Sequence, residues 1–98
     1  MLNHINVAGI NYKVELKETV EIREDKNYLG ACRFKDAIIE ISSSMNEQRQ
    51  EQILIHELMH AIFNEAGIEL ENEEDIVNRS SLVLYQVLKD NDFSFLRK

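Results

Sequence analysis

The 98-residue chain contains a single cysteine and no proline. One thiol, at Cys32, excludes an intrachain disulfide and any Cys-rich zinc finger, and it is compatible with a reducing compartment. Without proline, low-complexity tracts or internal repeats, no segment has the composition of a linker. We therefore expect residues 1–98 to form one domain, with Cys32 in its core.

Basic residues are also scarce, because 11 Lys and Arg stand against 18 Asp and Glu, giving a formal net charge of −7. Proteins that bind nucleic acids or anionic membranes usually present a basic face, so we expect neither partner. The first ten residues show neither the basic start nor the long apolar run of a signal peptide, and no stretch approaches the roughly 20 apolar residues of a membrane span, so we expect neither feature. These absences favour a cytoplasmic protein whose partner is a protein, a peptide or a cation.

The first half of the chain, residues 1–43, has the patterns of a small sheet. Apolar and polar residues alternate over residues 5–16, with an interruption at Ala8-Gly9 that indicates a turn or bulge. Residues 18–27 are polar and predict a loop with some extended character. The short apolar runs 28–34 and 37–42 are separated by two polar residues, which predicts a hairpin and an antiparallel or mixed sheet of three to four strands.

The second half changes to a helical period. Ser44 and Glu47 fit a capping box, in which each side chain satisfies a free backbone N–H, so a helix should begin near Met45. Gly67 is suited to end it, because glycine accepts positive φ. The sequence thus predicts a long first helix over residues 44–67.

A second long helix is predicted over residues 72–90. Asn72 can cap it, and the acidic first turn suits the positive end of the helix dipole. Residues 91–98 are expected to form a tail. Together the two halves predict an α+β fold in which a small sheet precedes two long helices.

The most informative stretch, ILIHELMHAIF, places His56, Glu57 and His60 in an otherwise apolar run. Positions four apart share a helix face, so the two imidazoles can point at one Zn²⁺, which takes three protein ligands and a water in catalytic sites. Glu57 is displaced by about 100°, close enough to act as general base on a metal-activated water without being a ligand. The alternative is that the histidines are hydrogen-bonded core or interface residues.

A third ligand must come from elsewhere in the chain. An oxygen ligand is expected, because His4 and Cys32 are the only other soft donors. The motif is followed by an acidic cluster: Glu69, Glu71, Glu73, Glu74 and Asp75. Helical geometry allows Glu73 or Glu74 to face inward and turns Asp75 to solvent, whereas the alternative is that the whole cluster only complements the helix dipole.

A family resemblance accompanies these residues. HELMHAIF followed by EEDIVNRSS resembles the small zinc metallopeptidases of the ImmA/IrrE type, many of them encoded by phages and mobile elements, and more broadly the gluzincin-like folds. In that group the second helix carries a Glu in an E-x-x-A-N type motif, which residues 74–78 resemble with Val77 in place of the alanine. The resemblance implies a zincin-like minimal core and selects Glu74, rather than Glu73, as the third ligand.

Motif and resemblance together imply zinc-dependent hydrolysis of peptide bonds, with Zn²⁺ held by His56, His60 and Glu74 and with Glu57 as general base. The implied partner is a protein or peptide substrate, with a regulatory protein as one candidate. Similarity to zincins also implies that the strand at residues 37–42 is a sheet edge on which an extended peptide pairs. Two alternatives remain: a non-catalytic, phage-type regulatory or interaction protein with a zinc-binding zincin core, and an acidic α+β domain without metal.

Overall fold

The computed structural model describes residues 1–97, in which strands precede helices. The strands are β1 (His4–Val7), β2 (Ile10–Lys17), β3 (Val20–Ile22), β4 (Asp25–Tyr28), β5 (Gly30–Arg33) and β6 (Ile38–Ser42). The helices are α1 (Glu47–Ala66), α2 (Glu73–Asp90) and a short 3₁₀ turn at Ser94–Leu96. This arrangement confirms the α+β prediction. Over the described residues, no helix is both long and apolar enough to cross a membrane.

Four of the described strands form a mixed sheet in the order β1-β2-β6-β5. The pairs β1–β2 and β5–β6 are antiparallel, whereas β2 and β6 run parallel. The predicted turn at Ala8-Gly9 joins β1 to β2, and both residues have positive φ, 53° and 87°. Because β6 has a neighbour on each side, the prediction that residues 37–42 form a sheet edge is wrong. The edge on that side of the sheet is β5.

The segment 18–27, predicted as a loop with some extended character, is extended over most of its length. It forms a second, two-stranded sheet in which β3 pairs antiparallel with β4. Arg23 and Glu24 connect the strands with φ of 51° and 69°, and positive φ at both central residues is the geometry of a tight hairpin turn. The sequence did not predict this pairing, because most side chains of the hairpin are exposed and little apolar alternation marks it.

The β3–β4 hairpin is tied to the main sheet by Arg33. Its Nη2 donates to the backbone oxygen of Glu21 at 2.6 Å and to Oε1 of Glu40 at 2.9 Å. Glu40 is buried on β6, and the Arg33 guanidinium donates one charge-assisted hydrogen bond to the Glu40 carboxylate there. The hairpin therefore lies against the strands that lead to the motif helix.

The core lies between the sheet and α1. Tyr12, Ile39 and Ile41 are fully buried and pack with Leu54 and Ala61 of α1. The Tyr12 hydroxyl donates to Glu65 Oε2 at 2.6 Å, which satisfies a polar group that burial would otherwise leave without a partner. These contacts fix the rotation of α1, which places Ile53 and Glu57 against β5 and leaves another part of the helix surface in contact with α2.

The first helix begins at Glu47 and is capped by Asn46, so the predicted capping role of Ser44 is wrong. Asn46 Oδ1 accepts the backbone N–H of Arg49 at 2.9 Å, while the Ser44 hydroxyl pairs with that of Ser42 at 2.7 Å. Both asparagine and serine are good caps, and only the path of the chain after β6 decides between them. The end at Gly67 is confirmed, with φ of 70° and backbone bonds back to the last turn.

Asn46→Ala is expected to lower the free energy of unfolding by about 1 kcal/mol, because the N–H of Arg49 loses its acceptor. Ser44→Ala is the matched control and should have a smaller effect. Chemical denaturation of both variants measures the two losses. A larger loss for Ser44→Ala would contradict the assignment of the cap.

Candidate metal centre

The two motif histidines lie one turn apart on α1, with ring centroids 5.1 Å from each other. Their side chains are largely buried. Each Nε2 atom lies 2.9 Å from one carboxylate oxygen of Glu74, which comes from the first turn of α2. The structure thus brings together His56, His60 and Glu74, the residues that the motif and the resemblance selected, with one ligand atom from each inside a span of 4.8 Å.

This donor set fits a zinc ion. Two imidazole nitrogens and one carboxylate oxygen are the protein ligands of one common type of catalytic zinc site. Atoms that share a tetrahedral metal at about 2.0–2.1 Å stand about 3.3 Å apart. The ligand atoms of this set lie within 4.8 Å of one another, so they would close by up to about 1.5 Å around a bound ion. We call His56, His60 and Glu74 the donor group. The side chain of Glu74 is 66% exposed, which leaves the donor group open to solvent on that side.

Glu73 makes a different contact from its neighbour. Its Oε2 lies 2.6 Å from Nδ1 of His60, on the far side of the imidazole from Glu74. When the Nδ1–H donates a hydrogen bond to this carboxylate, the lone pair of Nε2 is free to bind a metal. Carboxylate partners of this kind orient the histidine ligands of metal sites. Helical geometry left Glu73 and Glu74 open as ligands. The tertiary arrangement places Glu74 in the donor group and Glu73 behind His60.

The other candidates from the sequence lie outside this group. Asp75 is exposed and lies 3.9 Å from Arg79, in agreement with the solvent-facing position expected for it. His4 is exposed at the start of β1, where its Nδ1 is 3.3 Å from the amide of Asn11. Cys32 is half-buried and packs against the core. Burial, and to a smaller extent the negative charges of Glu57 and Glu65, raise the pKa of its thiol to about 12.

Glu57 is buried beside the donor group, 8% exposed, with Oε2 3.9 Å from Nε2 of His56. Burial raises the pKa of Glu57 to about 7; the nearby His60 opposes this rise, and Glu74 adds to it. Burial also lowers the pKa of His56, while Glu74 acts in the opposite direction. The surroundings therefore favour the neutral imidazole that a metal requires.

The position of Glu57 depends on Gly30, which the sequence analysis missed. A Cβ atom at Gly30 would lie 2.5 Å from Cγ2 of Ile53, 3.2 Å from the backbone oxygen of Glu40 and 3.3 Å from Cγ of Glu57. Glycine therefore lets β5 approach α1 closely at this point. The available signal was an isolated glycine inside an apolar strand, which often marks a close backbone approach.

Gly30→Ala is expected to lower the free energy of unfolding by about 1–3 kcal/mol through overpacking against Ile53. The Ile53 methyl is the nearest obstacle, so the loss should be smaller when Gly30→Ala is made in an Ile53→Ala background. A double-mutant cycle by chemical denaturation should give a coupling of about 0.5–3 kcal/mol. Strictly additive losses would contradict the contact.

The donor group lines one side of a cleft of about 300 Å³. The β3–β4 hairpin contributes Ile22 and Tyr28 to the cleft, and β5 contributes Gly30 and Cys32. Phe34, which follows β5, lies at one end. The hairpin that composition did not predict is therefore a wall of the candidate site.

The sequence from residue 13 to residue 82 matches the model of peptidase family M78, which is described as the IrrE N-terminal-like domain. The match spans more than half of the chain and includes His56, Glu57, His60 and Glu74. No curated protein and no solved structure matches the chain. The family match is thus the comparison that bears on function.

Proposed function

The chain belongs to the family of IrrE N-terminal-like domains, which confirms the resemblance to ImmA/IrrE-type proteins, and on that premise we propose that it is a zinc-dependent peptidase. In this proposal His56, His60 and Glu74 hold the ion and Glu57 is the general base. The observation that carries it is the meeting of two imidazole Nε2 atoms at the single carboxylate of Glu74. The proposed reaction also requires a general base beside the ion, and Glu57 is buried with its Oε2 3.9 Å from the same His56 nitrogen.

Each residue has a distinct part in the proposed reaction. A bound zinc ion would supply Lewis-acid chemistry, polarising a scissile carbonyl and lowering the pKa of water towards about 7. Glu57 accepts a proton from the attacking water and returns it to the leaving amine. Glu73 holds the imidazole of His60 in the orientation that directs Nε2 to the donor group.

Strand β5 is the proposed pairing edge for an extended peptide, in place of the interior strand β6. It is the terminal strand of the four-stranded sheet, and its residues line the cleft beside Glu57. A terminal strand leaves backbone N–H and C=O groups available on its outer side, which is how sheets add an extended ligand. A peptide bound there would cross in front of the donor group.

The test of the proposal begins with protein purified without a histidine tag. We expect about one equivalent of zinc by elemental analysis, and cleavage of a mixed peptide pool that a chelator removes and added zinc restores. Mass spectrometry of the products identifies the cleaved bonds. Protein that carries no zinc and takes up none when zinc is supplied would contradict the proposal, as would zinc-loaded protein that cleaves no peptide.

A second candidate is a non-catalytic regulatory or interaction protein in which zinc is structural. Structural zinc sites have four protein ligands, and the observation in favour is the 3.9 Å between Glu57 Oε2 and His56 Nε2, close enough for Glu57 to become the fourth ligand after a small movement. In that case Glu57 would contribute to zinc affinity rather than to hydrolysis. Removal of the Glu57 carboxylate would therefore abolish hydrolysis if the protein is a peptidase, and would weaken zinc binding if the zinc is structural.

A further inference from the structure

A second depression continues the cleft beyond the candidate metal centre. It encloses about 230 Å³ and shares two walls with the cleft, Phe34 and Glu73. Its position is set by the turn after β5 and by the connection between the two long helices. A peptide lying along the cleft would therefore reach this depression next to the donor group.

Three of the six residues that line this depression are apolar, and the other three are Asn64, Glu69 and Glu73. Phe34, Ile68 and Leu70 surround it, and they are 42%, 44% and 39% exposed. Single exposed apolar residues are common on protein surfaces, but three around one concave site indicate a place for an apolar group. Gly67 ends α1 just before Ile68, whose N–H donates to the backbone oxygen of Phe63 at 2.9 Å, so the backbone at this wall of the depression is held against the end of α1.

The depression and the cleft both lie in an acidic environment. Glu69 and Glu73 line the depression, and Glu57 and Glu74 line the cleft. Among the described residues that line either one, none is Lys or Arg. A divalent cation would offset two of the negative charges of Glu69, Glu73 and Glu74, so the surface still favours a positively charged ligand. This holds without a contribution from Glu57, whose raised pKa leaves its buried carboxyl partly protonated near neutral pH.

We propose that the depression formed by Phe34, Ile68 and Leu70 binds an apolar side chain of a peptide that carries Lys or Arg nearby. The inference rests on the proposed function and adds a substrate class to it. The apolar walls select the side chain that enters, and the carboxylates select the charge of the residues around it.

The test measures binding rather than turnover, with the Glu57→Gln protein, so that no probe is consumed. The probe is fluorescein-labelled Gly-Lys-Ser-Phe-Ser-Lys-Gly, followed by fluorescence anisotropy. One companion peptide replaces Phe by Ser, and another replaces both Lys by Glu. We expect the first peptide to bind at least about tenfold more tightly than either companion. Equal binding of the Phe and Ser peptides would overturn the inference.

Ile68→Asp should weaken binding of the Phe peptide about tenfold relative to the Ser peptide, because both peptides carry the same two Lys and the added charge acts on them equally. Ile10→Asp is the matched control, because Ile10 is also 44% exposed but lies at the start of β2, outside both linings. Leu70→Asp is a second variant, and circular dichroism checks that each variant is folded. An equal effect of Ile10→Asp would contradict the assignment of the depression.

The two proposals can fail separately. A zinc-loaded wild-type protein that binds the Phe peptide selectively but cleaves nothing would contradict the peptidase and support the binding site. Cleavage of a peptide pool at bonds without a constant apolar position, unchanged by Ile68→Asp, would support the peptidase and overturn the binding site. Mapping of cleaved bonds by mass spectrometry distinguishes these results.

Discussion

Replacement of Glu57 by Gln is expected to lower kcat for peptide hydrolysis by about a hundredfold or more, while about one equivalent of zinc stays bound. Gln keeps the size of the side chain in its buried position beside His56 but cannot accept a proton from water. The measurement pairs kcat on a peptide that the wild-type protein cleaves with elemental analysis of the same sample. KM should change little, because Glu57 acts on the reacting atoms rather than on the binding of the peptide.

Glu51→Gln is the matched control for this change. Glu51 is also on α1, but it pairs with Lys89 at 2.8 Å and with the hydroxyl of Tyr85 at 2.7 Å, away from the donor group. It should leave kcat unchanged. Hydrolysis that persists in Glu57→Gln would contradict the role of general base. Loss of zinc from that variant would instead favour a structural site with Glu57 as fourth ligand.

Glu74→Gln is expected to weaken zinc binding by more than about a hundredfold, and Glu73→Gln by about ten- to a hundredfold. The difference follows from their contacts, because Glu74 meets the Nε2 atoms of both histidines, whereas Glu73 contacts only Nδ1 of His60. Competition with a chromophoric chelator at fixed pH measures both affinities. The order of the two effects tests the ligand assignment.

Asp75→Asn provides the control for helix charge. All three acidic residues lie in the first turn of α2, so each substitution removes one negative charge from the same helix end. Asp75 is exposed and outside the donor group, so its loss should leave zinc affinity unchanged. A larger loss of zinc affinity for Glu73→Gln than for Glu74→Gln would indicate that Glu73 is the ligand and that Glu74 is not. Equal effects for all three would indicate a general electrostatic contribution.

The features predicted correctly from the sequence are mostly local ones. The change from period two to a helical period separated the sheet from the helices, and Gly67 marked the end of α1 because its need for positive φ is a property of one residue. The match of residues 13–82 also confirms the resemblance drawn from the HELMHAIF and EEDIVNRSS segments.

The wrong or missing predictions concern segments whose structure depends on distant partners. The β3–β4 hairpin has mostly exposed side chains and is held by the contacts of Arg33 with Glu21 and Glu40, so its own composition resembles a loop. The interior position of β6 follows from pairing with both β2 and β5, which no pattern within β6 can show. The choice of Asn46 over Ser44 as cap likewise follows from the path of the chain after β6.

The sequence by itself determined that His56 and His60 share a helix face with Glu57 beside them, because a helix repeats every 3.6 residues whatever surrounds it. Only the tertiary structure decided that Glu74 meets both imidazoles while Glu73 stands behind His60, since that depends on how α2 packs against α1. The same holds for Gly30, whose missing side chain matters because β5 lies against α1 there. Local geometry fixes one residue relative to the next few, whereas a site built from several elements is fixed by packing between segments far apart in the chain.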